Sequence, residues 1–370
     1  MEDRNYLFVS PTAVLGGAER VMFNLMLNLL EKGNTVIFFS MTKGKQPGWD
    51  QLLNYENFIV YFGEYSSEKK SLIPSIKFIY KLTRKYNVFL AFSSHTHING
   101  LLSLMRKLKV FKFNYLVGRE STIIFERYYG IWRIIFKLIY KFAYGSQDLL
   151  ICQTEKMKVS LINSLGCLPV NNVEVLFNPV NLSYIDNQLK DTEIVEKPFK
   201  TLIVACGRLI PLKKFDYLIA AFATISSTFP QAGLIIIGDG SERNKLITLI
   251  DTLNIRDKVH FVGKINNPIQ WFSYADIGII SSEIEGFPNV LIEMMASGVK
   301  QIISTPCSDG INMIPDINIT NSCSISAIKD KIEDSLKHPA NYSLQYKQYI
   351  YEYRSAERFW NKVEKLIKNN

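Results

Sequence analysis

Ala275-Asp276-Ile277-Gly278-Ile279-Ile280-Ser281-Ser282, followed at once by Glu283-Ile284 and then by Glu285-Gly286-Phe287-Pro288-Asn289-Val290-Leu291-Ile292-Glu293, is the stretch whose reading decides the fold. Ala275-Asp276 reads as a helix end and Ile277 to Ile280 as a buried strand. A Gly/Pro/Asn loop follows, and Val290 to Ala296 is an apolar helical run. The loop therefore lies at the carboxyl end of a strand in an α/β pattern, where open parallel sheets bind ligands. A loop that feeds a helix N-terminus offers unpaired N–H groups and the positive end of a dipole, which suits a diphosphate. Glu285 and Glu293 stand either side of seven residues. Carboxylates there can accept hydrogen bonds from the hydroxyls of a ribose or a sugar. The bland alternative is an N-terminal charge plus a solvated helix face.

Outward from this stretch the chain repeats the same rhythm. Strands are expected at Tyr6–Ser10, Thr35–Phe39, Phe58–Tyr61, Val88–Phe92, Tyr115–Val117, Leu149–Cys152 and Val173–Leu176. Further strands are expected at Thr201–Cys206, Gly233–Ile237, Val259–Val262, Ile277–Ile280 and Gln301–Ser304. Helical periods fall between them, as in Ala18–Lys32 with Val21, Met22, Leu25, Leu29 and Leu30. This predicts an α/β chain with parallel, doubly wound sheets. Composition shifts near Asn178-Pro179-Val180, and the polar run Asn181 to Lys200 reads as a linker. The expected domains are 1–180 and 181–345, both Rossmann-like, with 346–370 as a final helical segment.

A chain of 370 residues, 47% hydrophobic and 21% charged, is long enough for two substantial cores. The residues after Met1 lack a secretory leader pattern, and no run of about 18 apolar residues is present, so a cytoplasmic protein without a membrane span is expected. The five cysteines, Cys152, Cys167, Cys206, Cys307 and Cys323, form no C-x-x-C spacing, which argues against a disulfide framework or a zinc site. From Leu101 to Gly145 nine basic residues face two acidic ones, Glu120 and Glu126. Arg133, Lys137 and Lys141 recur at helical spacing among Tyr128, Tyr129, Ile131, Trp132, Ile134 and Phe136. Lys69 to Lys85 repeats the pattern with Lys77, Lys81 and Arg84. Such helices suit an anionic membrane surface. A solvated face over a buried one is the plain alternative, and no recognised nucleic-acid motif is present.

Two further places suit phosphate. Gly16-Gly17-Ala18-Glu19-Arg20 follows the first strand and opens a helix, where glycine lets backbone approach an anion. Gly207-Arg208-Leu209 follows the first strand of the second half, with Lys213 five residues after Arg208. Arg208 and Lys213 can neutralise a diphosphate as charge grows on it. Gly238-Asp239-Gly240 reads as a turn, with Ser241 capping the next helix. His95 and His97 follow the fourth strand, but no third ligand near them makes a metal site.

In this order along the chain, the GGAER loop, the His95–His97 loop, Asn178-Pro179, the Gly207-Arg208…Lys213 segment, the Gly-Asp-Gly turn and the Glu285–Glu293 signature resemble the retaining glycosyltransferases of family 4. The resemblance implies the GT-B fold, two Rossmann-like domains facing across a cleft, with the last helix crossing back to the first domain. It implies transfer of a hexose or N-acetylhexosamine, with retention and an α-linkage, from a nucleoside diphosphate sugar. A UDP-sugar is expected, with GDP-mannose open. Arg208 and Lys213 would hold the diphosphate, Glu293 the ribose and Glu285 the sugar hydroxyls. N–H groups at Phe287, Asn289, Val290 and Leu291, beside Gly286, would cradle sugar and phosphates, and Gly16-Gly17 would face the donor phosphates. His97 is the better match to a histidine that touches the donor sugar. Gly118-Arg119-Glu120-Ser121 resembles a loop at the acceptor side.

Two departures stand out. Lys214 occupies a place where the family commonly has glycine, and Met313 stands three residues after Gly310 where glutamate is common. No D-x-D occurs between short strands, so metal independence and no cofactor beyond the donor are expected. The basic, aromatic helices favour a lipid-linked glycan acceptor at the cytoplasmic face of the inner membrane, as in O-antigen or capsule synthesis. A GT-B-fold sugar-nucleotide 2-epimerase and a catalytically silent nucleotide-sugar-binding protein are the alternatives. Nucleic acid is not an expected partner.

Overall fold

The computed structural model describes residues 4–44, 48–167, 170–190, 197–265 and 267–368. The chain divides into two compact units: residues up to Asn181 together with those from Ala356 onward form the first, and Leu182–Ser355 form the second.

The first unit is built on seven parallel strands, β1 (Asn5–Ser10), β2 (Thr35–Ser40), β3 (Phe58–Phe62), β4 (Val88–Ser93), β5 (Tyr115–Arg119), β6 (Leu149–Cys152) and β7 (Val173–Val175), in the order β3-β2-β1-β4-β5-β6-β7. Its helices are α1 (Gly17–Glu31), α2 (Glu68–Lys85), α3 (Thr96–Lys107), α4 (Ile124–Arg127), α5 (Gly130–Leu138) and α6 (Glu155–Leu165). The inner strands are apolar runs buried on both faces, as parallel sheets covered by helices require. Leu7, Ile37, Ala91, Ile98, Leu102 and Leu116 form one core cluster.

The second unit opens with α7 (Leu182–Lys190) and carries six parallel strands, β8 (Thr201–Cys206), β9 (Ala232–Ile237), β10 (Val259–Gly263), β11 (Ile277–Ile280), β12 (Gln301–Ser304) and β13 (Ile317–Ile319). They follow the order β10-β9-β8-β11-β12-β13. Between and after them run α8 (Phe215–Ile225), α9 (Arg243–Thr252), α10 (Ile269–Tyr274), α11 (Asn289–Ser297), α12 (Ile325–Lys337) and α13 (Ser343–Tyr349). In each sheet the order reverses beside the first strand, at β1/β4 and at β8/β11. Such switch points open a crevice at the strands' carboxyl ends.

The last helix, α14 (Ala356–Lys368), belongs to the first unit. Trp360 Nε1 donates to the Leu25 carbonyl at 3.1 Å, and its ring meets Tyr6 and Phe8 edge-on. Residues 346–355, expected to leave with this helix, stay with the second unit. Tyr346 is fully buried there and its hydroxyl donates to the Asp316 carbonyl at 2.6 Å. The expected linker is also partly structured. Leu182, Ile185 and Leu189 give α7 an apolar stripe inside a polar composition, and Ile185 is buried. Asp191, Glu193 and Glu196 lie outside the described residues. Strand β13 was not expected: Ile-Asn-Ile is too short to show a period.

Candidate functional site

In the second unit the groups singled out from sequence gather at the carboxyl ends of β8 and β11. Lys213 Nζ lies 2.7 Å from Glu285 Oε1, and Ser282 Oγ donates to the same oxygen at 2.6 Å. Both members of this ion pair are mostly but not wholly covered, at 18% and 15% side-chain exposure. Hydrogen bonds lock the loops after β8, β11 and β12 together. Glu283 N donates to Leu212 O at 2.9 Å, Ser281 Oγ to Lys213 O at 2.7 Å, and Glu285 N to Cys307 O at 2.8 Å. Ser308 Oγ adds a bond to Gly286 O at 2.9 Å. Burial, with Glu285 adding to it, pushes the Cys307 thiol up to about 12, so it is a packing group under the loop.

The departure at Lys214 has a structural counterpart. Lys214 holds a left-handed backbone, φ 49° and ψ 38°, at the start of α8. Glycine adopts that conformation without strain. The turn throws Lys214 away from Glu285 and onto Glu283, 3.1 Å distant, so Lys213 is the inward lysine. Arg208 is exposed at the head of the same loop. The Gly-Asp-Gly turn packs against this loop. A Cβ at Gly238 would meet Gly207 O at 1.9 Å, and one at Gly240 would meet Leu209 O at 2.4 Å. Leu209 N donates to Asp239 O, and Glu242 N to Leu209 O. Glu242, not Ser241, stands at the N-cap of α9, because that contact with Leu209 sets where the helix begins.

The helix N-terminus expected after the loop is α11, capped by Pro288, with Glu293 half-buried in its second turn. Leu291 N already donates to Pro288 O at 3.0 Å, so the first turn is tight and this N–H is taken within the chain. Phe287 is buried, with the Arg354 guanidinium 4.6 Å from its ring centroid. Met313 is exposed beyond a short helical turn at Asp309–Ile311.

In the first unit the candidates separate. Gly16 and Gly17 sit at the start of α1. The Gly16 N–H is bonded to Val14 O at 2.9 Å and to Glu19 Oε2 at 3.2 Å. Glu19 is buried, and its other carboxylate oxygen lies 3.1 Å from His95 Nε2. His95, not His97, is therefore the histidine joined to the Gly16 loop. His97, two residues further on, is half-exposed and lies 3.2 Å from Glu68 Oε2. Arg119 and Glu120 are both buried, not arrayed on an open loop. Arg119 donates to Asn178 Oδ1 and to Ser94 Oγ. Burial pulls its guanidinium down to about 9 against the pull of Glu120 and Glu19. Glu120 accepts from Thr96 Oγ1, from Asn99 Nδ2 at 3.3 Å and from the Tyr144 hydroxyl at 2.6 Å. Ser282, Glu19, Glu68 and Arg354 were not found by sequence reasoning. Glu19, inside the quoted GGAER loop, and Ser282, three residues before Glu285, had a positional signal.

The basic helices have more exposed apolar surface than a solvated face requires. No residue of α5 is buried, and Tyr129, Ile131, Trp132, Ile134, Leu138 and Phe142 are all exposed. Lys137 and Lys141 are exposed among them, whereas Arg133 turns back to donate to Phe125 O at 3.1 Å. Helix α2 exposes Ile73 and Tyr80 beside Lys77, Lys81 and Arg84. Among the described residues no helix is long and apolar enough to cross a membrane, and no group of three or more His, Cys, Asp or Glu could hold a metal.

Two units of parallel sheet, each with its switch point beside the first strand, define a two-domain, doubly wound α/β protein, with a cation-held glutamate before a helix N-terminus in the second unit. The chain belongs to glycosyltransferase family 4, transferases of the GT-B fold: residues 15–184 match the Glycosyltransferase Family 4 model and residues 186–353 the Glycosyl transferases group 1 model. It is 28% identical over 256 residues to an uncharacterised glycosyltransferase of Methanocaldococcus jannaschii, covering 66% of this chain and 62% of that one. It is 26% identical over 213 residues to the N-acetylgalactosamine-N,N'-diacetylbacillosaminyl-diphospho-undecaprenol 4-alpha-N-acetylgalactosaminyltransferase of Campylobacter jejuni, covering 54% of this chain and 55% of that enzyme. The chain thus spans less than two thirds of the length of either relative. In fold it is similar to Anabaena HepE, crystallised with UDP and glucose, at TM-score 0.77 and 15% identity over 99% of both chains.

Proposed function

We propose that this chain transfers a hexose or N-acetylhexosamine, with retention and an α-linkage, from a UDP-sugar to a hydroxyl of a lipid-linked glycan, at an anionic membrane surface, in surface-polysaccharide synthesis. The observation that carries the donor site is the Lys213–Glu285–Ser282 cluster at the ends of β8 and β11, directly before α11. The bond between the anomeric carbon and the diphosphate oxygen breaks, and its electron pair leaves with the phosphate. The acceptor oxygen bonds to the same face of that carbon, and its proton passes to the departing phosphate oxygen. Lys213, fixed by Glu285, and Arg208 stabilise the charge that grows there. These fixed cations support a transfer that needs no metal. Glu285 accepts sugar hydroxyls and Glu293 the ribose hydroxyls.

The UDP assignment draws on HepE's ligands, and the acceptor class on the activity for which the Campylobacter relative is named. The membrane is supported by the exposed apolar ridge of α5, which carries Lys137 and Lys141. Apolar patches of this kind on a soluble surface mark interaction sites, and cations beside them favour anionic lipid.

The test has two arms. UDP, GDP, ADP and TDP are compared for thermal stabilisation of wild type and Glu293→Ala, with selective stabilisation by UDP, lost in the variant, expected. Flotation with anionic vesicles at low salt should carry wild type but not Trp132→Ser/Lys137→Glu. Stabilisation by GDP alone would move the donor to GDP-mannose. Absence from the vesicles would remove the membrane, and isomerised sugar without transfer would favour the epimerase.

A further inference from the structure

Among the described residues of the second unit, Arg354 is the only charged side chain that is buried, at 1% exposure. It closes a wide π turn, Ile350–Arg354, that continues α13. Turns of this type insert one extra residue and often redirect a side chain at functional sites. Here the side chain is delivered onto Phe287 of the donor loop. The guanidinium carbon lies 4.6 Å from the Phe287 ring centroid and 5.7 Å from that of Tyr349, and Nη2 donates to the Tyr349 hydroxyl at 3.3 Å. Helix α11 packs on both α13 and this turn.

A buried cation is costly unless something compensates it. Burial pulls the Arg354 guanidinium below its ordinary value, with Tyr349 pulling the other way. An apolar side chain would fill the same space without that cost, so packing alone does not explain an arginine here. Phe287 lies between Glu285, which is fixed by Lys213, and the start of α11. Its ring is the one aromatic of the loop, and its position sets where the following N–H groups point.

We propose that Arg354 is a positioning residue for the donor site: by holding the Phe287 ring in a cation–π contact it fixes the Gly286–Asn289 backbone in the conformation that receives the nucleoside diphosphate. This rests on the reading of the 285–293 loop as the donor site. Loss of one desolvated cation–π contact is expected to weaken binding about tenfold, which corresponds to about 1.4 kcal/mol.

The test measures UDP binding by calorimetry and amide exchange of residues 286–291 on the full chain. Variants are Arg354→Met, Arg354→Lys and Phe287→Leu. The expected result is about tenfold weaker UDP binding and faster loop exchange in Arg354→Met, with KM for the donor moving more than kcat. Arg354→Lys should recover part of the loss, and Arg354→Met should add little to Phe287→Leu. If Arg354→Met fails to fold, Arg354→Lys against Phe287→Leu carries the comparison. UDP binding and loop exchange equal to wild type in a folded Arg354→Met, or additive effects of the two substitutions, would overturn the inference alone. Wild type that binds neither UDP nor another nucleoside diphosphate would overturn the donor-site reading together with it.

Discussion

The two units treat their charged groups at strand ends in opposite ways. In the first, Glu19, Arg119 and Glu120 are buried and bonded mainly to neutral partners such as Ser94, Thr96, Asn99, Tyr144 and Asn178. In the second, Lys213 and Glu285 are joined to each other but retain contact with solvent, and Arg208 is exposed. A buried network of this kind, in which Arg119 Nε, Asn99 Oδ1 and His95 Nδ1 still lack a hydrogen bond among the described residues, specifies a fold and keeps its charges away from solvent. A mostly covered ion pair that keeps some solvent contact beside a helix N-terminus holds a cation in place while leaving it reachable. The contrast separates groups that hold the structure from groups offered to a substrate.

Breaking the buried network should have the largest effect. Glu120→Ala leaves Tyr144, Thr96 and Asn99 without their shared acceptor and Arg119 without its nearest counter-charge. A loss of about 3–5 kcal/mol in unfolding free energy is expected from removing one buried charged partner. Chemical denaturation measures it. The fraction that remains folded should keep its turnover number. Normal stability with lost transfer would instead return this loop to the acceptor side.

The open pair should show the reverse pattern. Lys213→Ala removes the cation that faces the diphosphate and should lower kcat/KM about 10²–10³-fold, as loss of one oxyanion-stabilising group commonly does. Circular dichroism should be unchanged, because Ser282 still holds Glu285. Steady-state kinetics against the donor identified by thermal shift reads the loss. A fall in stability as large as that of Glu120→Ala, with kcat/KM preserved, would erase the distinction between the units.

Much of this was legible in the sequence because the decisive groups are contiguous. A strand, a Gly/Pro/Asn loop and an apolar helix in a row place Glu285 and Glu293 without any long-range information. The doubly wound order followed from the same βα repeat. What was not legible depended on burial or on backbone sign. Arg119-Glu120 looks like a surface dipeptide until the sheet buries it. His95 and His97 differ only in which helical position meets Glu19. The stripe Arg133, Lys137 and Lys141 assumed one continuous α-helix, whereas the helix widens into a π turn at Ile139–Ala143 and Arg133 folds back on Phe125. Arg354 joins Phe287 across 67 positions of sequence, a separation that no local pattern reports.

The smallest effect is expected at Lys214, and it sharpens the same contrast within one loop. Lys213 and Lys214 are adjacent cations with opposite fates because Lys214 takes φ 49°. A left-handed conformation costs a non-glycine residue about 1 kcal/mol. The Lys214–Glu283 pair offsets little of that, since Glu283 is more than half exposed and exposed pairs contribute about 0–1 kcal/mol. Lys214→Gly should therefore leave stability unchanged or raise it by up to about 1 kcal/mol, because relief of the strain is partly cancelled by the extra freedom glycine gives the unfolded chain. Lys214→Ala keeps the strain and loses the pair, so it should be the least stable of the three. Thermal unfolding ranks them as glycine, lysine, alanine. Since Lys213 is the lysine that meets Glu285, kcat/KM should be the same in all three. A tenfold loss in Lys214→Gly would exchange the assignments of the two lysines and place the diphosphate on the Glu283 side of the loop.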